Sequence, residues 1–147
     1  WPVANMGKWI AEAAPDWGPN FALKQPVQVS SVERDDTPPE AAVDDSLSTR
    51  WSSEHNDPQW IMVDLGQVRT INRVVLRWET AFGSAYTLEV STDGANWKQV
   101  YATQTGMGDE ESIAFEGVDA RYVRLSGTKR GTPYGYSLYD FAVFGPR

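Results

Sequence analysis

Three short runs in the middle of the chain alternate apolar and polar residues almost one for one: Ile61, Val63 and Leu65 in QWIMVDLG, Val74, Leu76 and Trp78 in INRVVLRW, and Tyr86, Leu88 and Val90 in AYTLEVS. A side-chain period of two puts each apolar set on one face of an extended strand, which a helix of 3.6 residues per turn cannot do. Each strand then has one face to bury, and short strands bury it only against one another. After the third run comes Ser91-Thr92-Asp93-Gly94-Ala95-Asn96, where Asp-Gly marks a tight turn, so a hairpin is expected there. Further strands are read at residues 99–103, 112–115, 120–127 and 140–144, with an early one around 27–32. No stretch keeps a helical period beyond a turn or two, and no internal repeat is present. The reading is all-β, with about eight antiparallel strands in a sandwich or barrel.

At 147 residues the chain is one domain, long enough to bury roughly two-thirds of its unfolded surface without a metal or disulfide. It contains no Cys, which removes a disulfide framework, a thiolate metal site and a cysteine nucleophile together. Thirteen Lys and Arg against 20 Asp and Glu give a net charge of −7, which argues against nucleic acid or an anionic membrane as partner. A neutral or polycationic partner fits better. No apolar run reaches the roughly 18 residues of a membrane span. The first residues lack the basic-then-apolar order of a signal peptide, so the chain reads as a mature or excised piece.

Eighteen aromatic residues in a chain of mean hydropathy −0.47 need a use. Most are expected to fill the core, leaving one or two to stack on a flat ligand face. Residues 1–20 differ in texture, with Trp1, Trp9 and Trp17 among Ala, Pro and Gly. They are read as a linker or arm, part of which packs back onto the body at 21–147, because indoles are costly to leave in water.

Several blocks together resemble a known family. Phe21-Ala22-Leu23-Lys24-Gln25-Pro26-Val27, then Ala42-Val43-Asp44-Asp45 through Thr49-Arg50-Trp51-Ser52-Ser53, then Asp57-Pro58-Gln59-Trp60-Ile61 are similar to the opening of factor V/VIII type C, or discoidin-like, domains. Ser91-Thr92-Asp93-Gly94 with Trp97, Ala120-Arg121-Tyr122-Val123-Arg124-Leu125, and Tyr134-Gly135-Tyr136-Ser137-Leu138-Tyr139-Asp140-Phe141 continue the likeness in order. Within that superfamily the chain looks most like family 32 carbohydrate-binding modules, which are carried by secreted polysaccharide-degrading enzymes. The resemblance implies a jelly-roll β-sandwich, extracellular and monomeric, whose loops at one end bind a sugar without catalysis.

The same resemblance implies a structural Ca²⁺ held by the side chains of Asp44, Thr49 and Asp140, with the carbonyls of Ala41, Ser46 and Tyr139 completing the shell. Six to eight hard oxygens with two carboxylates among them suit that ion. Asp45 stands where the family has Gly, and Asp140 where it has Glu. For the ligand, the matching positions are Glu33, Arg50, Glu54, Glu79 and Tyr134. Carboxylates and a guanidinium bond hydroxyls or amines, and an aromatic ring offers its face to the C–H face of a pyranose. Three converging carboxylates would favour a cationic glucosamine amine, which places chitosan ahead of a neutral β-1,3-glucan. Tyr136 and Trp51 are read as support, and His55 as a solvent-exposed neighbour of Glu54.

Catalysis is not expected. Glu33 and Glu54 could be imagined as a glycosidase pair, but modules of this kind bind and do not cleave. A serine triad would have to rest on His55 with no G-x-S-x-G elbow, and zinc chemistry has no second His. The function read from the sequence is a module that tethers an attached glycoside hydrolase to chitosan or a β-glucan. The alternative is a lectin-like adhesion domain for galactose-type glycans or a protein. Galactose-binding members place a His and an Asn beside an aromatic, a constellation not evident in this sequence.

Overall fold

The computed structural model describes residues 16–146. Seven strands form: β1 (Val27–Val29), β2 (Trp51–Ser52), β3 (Gln59–Trp78), β4 (Gly83–Ser91), β5 (Lys98–Thr103), β6 (Glu110–Arg130) and β7 (Ser137–Phe144), with one 3₁₀ turn at Pro39–Ala42. All pairings are antiparallel. The β4–β5 hairpin stands where Asp-Gly placed it, its turn held by the Asp93 carboxylate, which accepts the backbone N–H groups of Ala95 and Asn96 at 2.8 Å each. Those bonds hold the Asp93 carboxyl far below the usual carboxylate range.

The difference from the expected eight strands lies in β3 and β6. The runs at 61–65 and 74–78 are one strand, and 112–115 and 120–127 are another. The two long strands pair from Gln59↔Gly127 to Arg77↔Glu110, with register shifts between Asp64 and Arg69 and between Ile71 and Arg73. At the first shift Gly66 takes φ 85° and donates its N–H to Asp64, whose carboxylate accepts two hydrogen bonds from Arg121 at 2.9 and 3.1 Å. This braced corner passes both strands from one layer to the other. One layer holds β1, β4, β5 and the outer halves of the pair; the other holds β2, β7 and the inner halves. β2 was not expected, because two residues carry no period.

Between the layers lie Ile61, Val63, Leu65, Ile71, Val74, Leu76, Leu88, Val123, Leu125, Phe141 and Val143, none more than 1% exposed. Trp51 and Trp78 are fully buried, and each indole N–H finds an acceptor, Ser31 O at 3.0 Å and Glu111 Oε1 at 2.6 Å. That is what a buried Trp needs to avoid losing its hydrogen bond to water. Of the N-terminal tryptophans, Trp17 packs against Phe144 with Arg73 over its ring, while Trp1 and Trp9 lie outside the described residues. Asn20 Oδ1 accepts the N–H groups of Ala22 and Val143, so the body of the domain already includes residues 17–20.

Because β3 and β6 are doubled over, the start and end of each strand return to the same end of the sandwich. The loops before β3, after β3, before β6 and after β6 therefore meet there. Gly131 N–H donates to Phe82 O at 2.8 Å, and Trp78 N–H donates to Asp109 O at 2.8 Å.

Candidate functional site

The loops at this end are stitched through their backbones. Glu33 N–H donates to Ser52 O at 2.7 Å, Ser53 N–H to Tyr136 O at 2.8 Å, Glu79 N–H to Ser137 O at 2.9 Å, and Ser137 N–H to Ala81 O at 3.1 Å. The Ser53 hydroxyl accepts Tyr136 N–H and donates to Glu54 O, each at 2.8 Å. Arg130 reaches across from β6, bonding Asp57, His55 O and Pro133 O, so one guanidinium joins the loop before β3 to the loop after β6. Tyr136 is buried and donates its hydroxyl to Asp57 at 2.7 Å. Burial and the neighbouring carboxylate push that phenol well above its ordinary pKa, so it stays a donor at any working pH.

A cleft of about 410 Å³ opens between these loops, lined among others by Glu33, Arg34, Arg50, Glu79, Tyr134 and Tyr136. The structure thus brings together Glu33, Arg50, Glu79 and Tyr134. Glu54 is not among the lining residues; its side chain is exposed and its backbone N–H donates to Ser31 Oγ at 2.9 Å. The three converging carboxylates expected from sequence become two here, accompanied by the guanidiniums of Arg34 and Arg50. Arg50 is aimed by a bond from Nε to Ser52 Oγ at 3.0 Å, and Ser52 in turn bonds Ser137. Glu79 Oε1 accepts Ala81 N–H at 2.9 Å, which fixes the carboxylate at the turn after β3. Tyr134 keeps 58% of its surface exposed, a large apolar ring held in water on a loop.

His55 is solvent-exposed, as read from the sequence, yet it makes two contacts that the sequence did not show. Its Nε2 lies 2.6 Å from Glu33 Oε2, and its ring meets that of Tyr134 edge-on at 5.7 Å. His55 therefore orients both a cleft carboxylate and the exposed ring. Two of the three members of the His-Asn-aromatic constellation taken as not evident thus meet, while the Asn56 side chain is turned to Gln59. The only sequence signal was position, next to Glu54 and after Arg50.

The residues expected at a calcium site make contacts of their own. Asp44 accepts Ser46 N–H at 3.1 Å and the Thr49 hydroxyl, and Asp45 adopts φ 63°, the left-handed region the family fills with Gly. Asp140 pairs with Arg77 at 2.7 Å. Burial pushes the Asp140 carboxyl up to about 6 against the pull of Arg77, and the charges of Asp45 and Asp44 add to the rise. Among the described residues no three acidic or His side chains form a metal-holding group by themselves, so an ion here would draw most of its oxygens from carbonyls.

Comparison with known proteins gives the following likenesses. Residues 26–141 match the model of the F5/8 type C domain. The chain is 48% identical to chitosan-binding module 1 of a chitosanase/glucanase from Paenibacillus sp. IK-5, with TM-score 0.85 over 87% of this chain and 100% of that one. Module 2 of the same enzyme, solved in complex with chitotriose, matches at 42% identity and TM-score 0.84 over 86% and 100%. Over 107 residues, 71% of the chain, the identity to the polysaccharide lyase 8 family protein HylA of Enterococcus faecalis is 36%, and the chain spans 8% of that protein's length.

Proposed function

Because the chain belongs to the F5/8 type C domain family, as a noncatalytic carbohydrate-binding module, we propose that its cleft takes one or two glucosamine units of a chitosan chain. The observation that carries this is the convergence of Glu33 and Glu79, from separate loops, on a cleft rimmed by the exposed Tyr134 ring. In this reading the carboxylates accept hydrogen bonds from the amine and hydroxyls, Arg50 donates to a ring or hydroxyl oxygen, and Tyr134 stacks on the sugar's apolar face. His55 holds Glu33 in place. The likeness to a module solved with chitotriose supports the same choice. Outside the cell, such a site need not be tight: attached to a catalytic domain and facing a polymer, a weak module raises the local enzyme concentration.

Titration calorimetry with glucosamine, β-1,3-glucan and galactose oligosaccharides tests the choice. Glucosamine oligomers are expected to bind at least tenfold more tightly than either neutral sugar. Binding of galactose alone would favour the second reading, for which the edge-on His55–Tyr134 pair is the specific observation.

We also propose that Asp44, Thr49 and Asp140, with the carbonyls of Ala41, Ser46 and Tyr139, hold a structural Ca²⁺. Its work is to neutralise the charge around Asp140 and fix the segment leading to Arg50. Chelation is expected to lower Tm by several degrees, with recovery on adding calcium; by mass action an ion at a hundred times its Kd adds about 2.7 kcal/mol. A melting curve indifferent to chelator would remove the ion from this reading.

A further inference from the structure

The loop before β6, Gly106-Met107-Gly108-Asp109, is tied down along its backbone yet turns its one large side chain outward. Gly106 N–H donates to Ser84 O at 2.9 Å, Met107 N–H to Glu111 Oε2 at 3.3 Å, and Asp109 O accepts Trp78 N–H at 2.8 Å. Glu111 is itself fixed by the Trp78 indole and the Tyr86 hydroxyl. Both glycines are required by close approach: a Cβ at Gly106 would sit 2.6 Å from Gly83 O, and one at Gly108 would sit 2.9 Å from Phe82 Cγ. Between them Met107 is 84% exposed, the most exposed large apolar side chain among the described residues. An apolar group held this firmly in water is preorganised for a contact.

The place of that contact follows from Phe82. Its ring lies against Gly108 of this loop and Gly131 of the loop that carries Tyr134, and its chain neighbours Thr80 and Ala81 line the cleft. The Met107 loop therefore adjoins segments that line the cleft: Phe82 packs on it, and Trp78, next to Glu79 in the chain, donates its N–H to Asp109 O. Asp109, exposed beside Met107, repeats the pairing of apolar surface and carboxylate that Tyr134 and Glu33 make in the cleft. We propose that Met107 and Asp109, on the loop that packs against Phe82 through Gly108, form an outlying subsite that takes a further glucosamine unit of the same chain after it leaves the cleft past Glu79. This rests on the cleft's binding glucosamine oligomers. The module then prefers longer chains over short ones.

Calorimetric titration of the wild type and Met107→Ser with glucosamine dimer and hexamer tests it. The wild type is expected to bind the hexamer more tightly than site multiplicity alone gives. Met107→Ser should lower hexamer affinity about fivefold to tenfold, the value of one methionine's apolar contact, and leave dimer affinity and Tm unchanged. Unchanged hexamer affinity, or an equal loss for both oligomers, overturns the outlying subsite while leaving the cleft reading intact. If the wild type binds neither oligomer, the cleft reading fails and the subsite with it.

Discussion

Glu33→Gln combined with Glu79→Gln is expected to weaken binding of glucosamine oligomers by a hundredfold or more, with little change in Tm. Each hydrogen bond to a charged group is worth about 1.5–3 kcal/mol, and tenfold in affinity is about 1.4 kcal/mol. Glutamine keeps an acceptor for Ala81 N–H and a partner for His55, so the loops stay in place while the two negative charges are lost. The losses should be largest at low salt, where charge attraction is least screened. Calorimetry on the double variant decides it. If affinity falls less than fivefold, the carboxylates are solvated rim charges, and recognition must rest on Tyr134 and Arg50. Glu54→Gln serves as the control, since that side chain lies outside the cleft lining and its change should be neutral.

Gly135→Val is the second large effect, and it acts through shape rather than charge. A Cβ at Gly135 would lie 2.5 Å from Glu54 O, 2.5 Å from Ser53 Oγ and 2.6 Å from Ser53 O. Two of the three are backbone oxygens, which cannot swing away as a side chain would. The loop after β6 must lift off the loop before β3, breaking the Ser53–Tyr136 exchange and moving Tyr134 from the cleft rim. Overpacking of this kind costs about 1–3 kcal/mol, which in a chain of this size lowers Tm by roughly 2–4 °C per kcal/mol. Oligosaccharide binding is expected to be lost while the far-ultraviolet circular dichroism remains that of a β-protein. Wild-type affinity in a folded Gly135→Val would mean that Tyr134 does not take part in binding.

The residues that sequence reasoning read well are those whose signal is local. Alternation placed Ile61–Leu65, Val74–Trp78 and Tyr86–Val90 in strands because a period of two is visible in five residues. The same reasoning read the runs at 61–65 and 74–78 as separate strands, whereas the chain bends between Asp64 and Arg69 and its pairing with β6 then resumes. A corner of this kind is decided by a partner strand more than 50 residues away. The cleft shows the same divide. Glu33, Arg50, Glu79 and Tyr134 were reached through family-like blocks, and the geometry gathers them. Glu54 and His55 are adjacent in sequence, and nothing local says which of two neighbours contacts the cleft residues. Both stay exposed, and it is His55 that reaches the cleft residues, where Glu33 and Tyr134 offer it a hydrogen bond and a ring edge.

The doubled strand pair also sets the order in which the molecule comes into being. Gln59 meets Gly127 across 68 residues of chain, and the loops of the cleft flank that pairing on either side. Closing so long a loop demands its entropy before any contact repays it, so a topology of this sort folds slowly. No early hairpin contains a usable part of the cleft: β4–β5 forms locally but carries none of its lining residues. The capacity to hold a sugar therefore arrives with the last long-range pairing, and a nascent chain has none until β7 has emerged and Ser137 can bond Ala81.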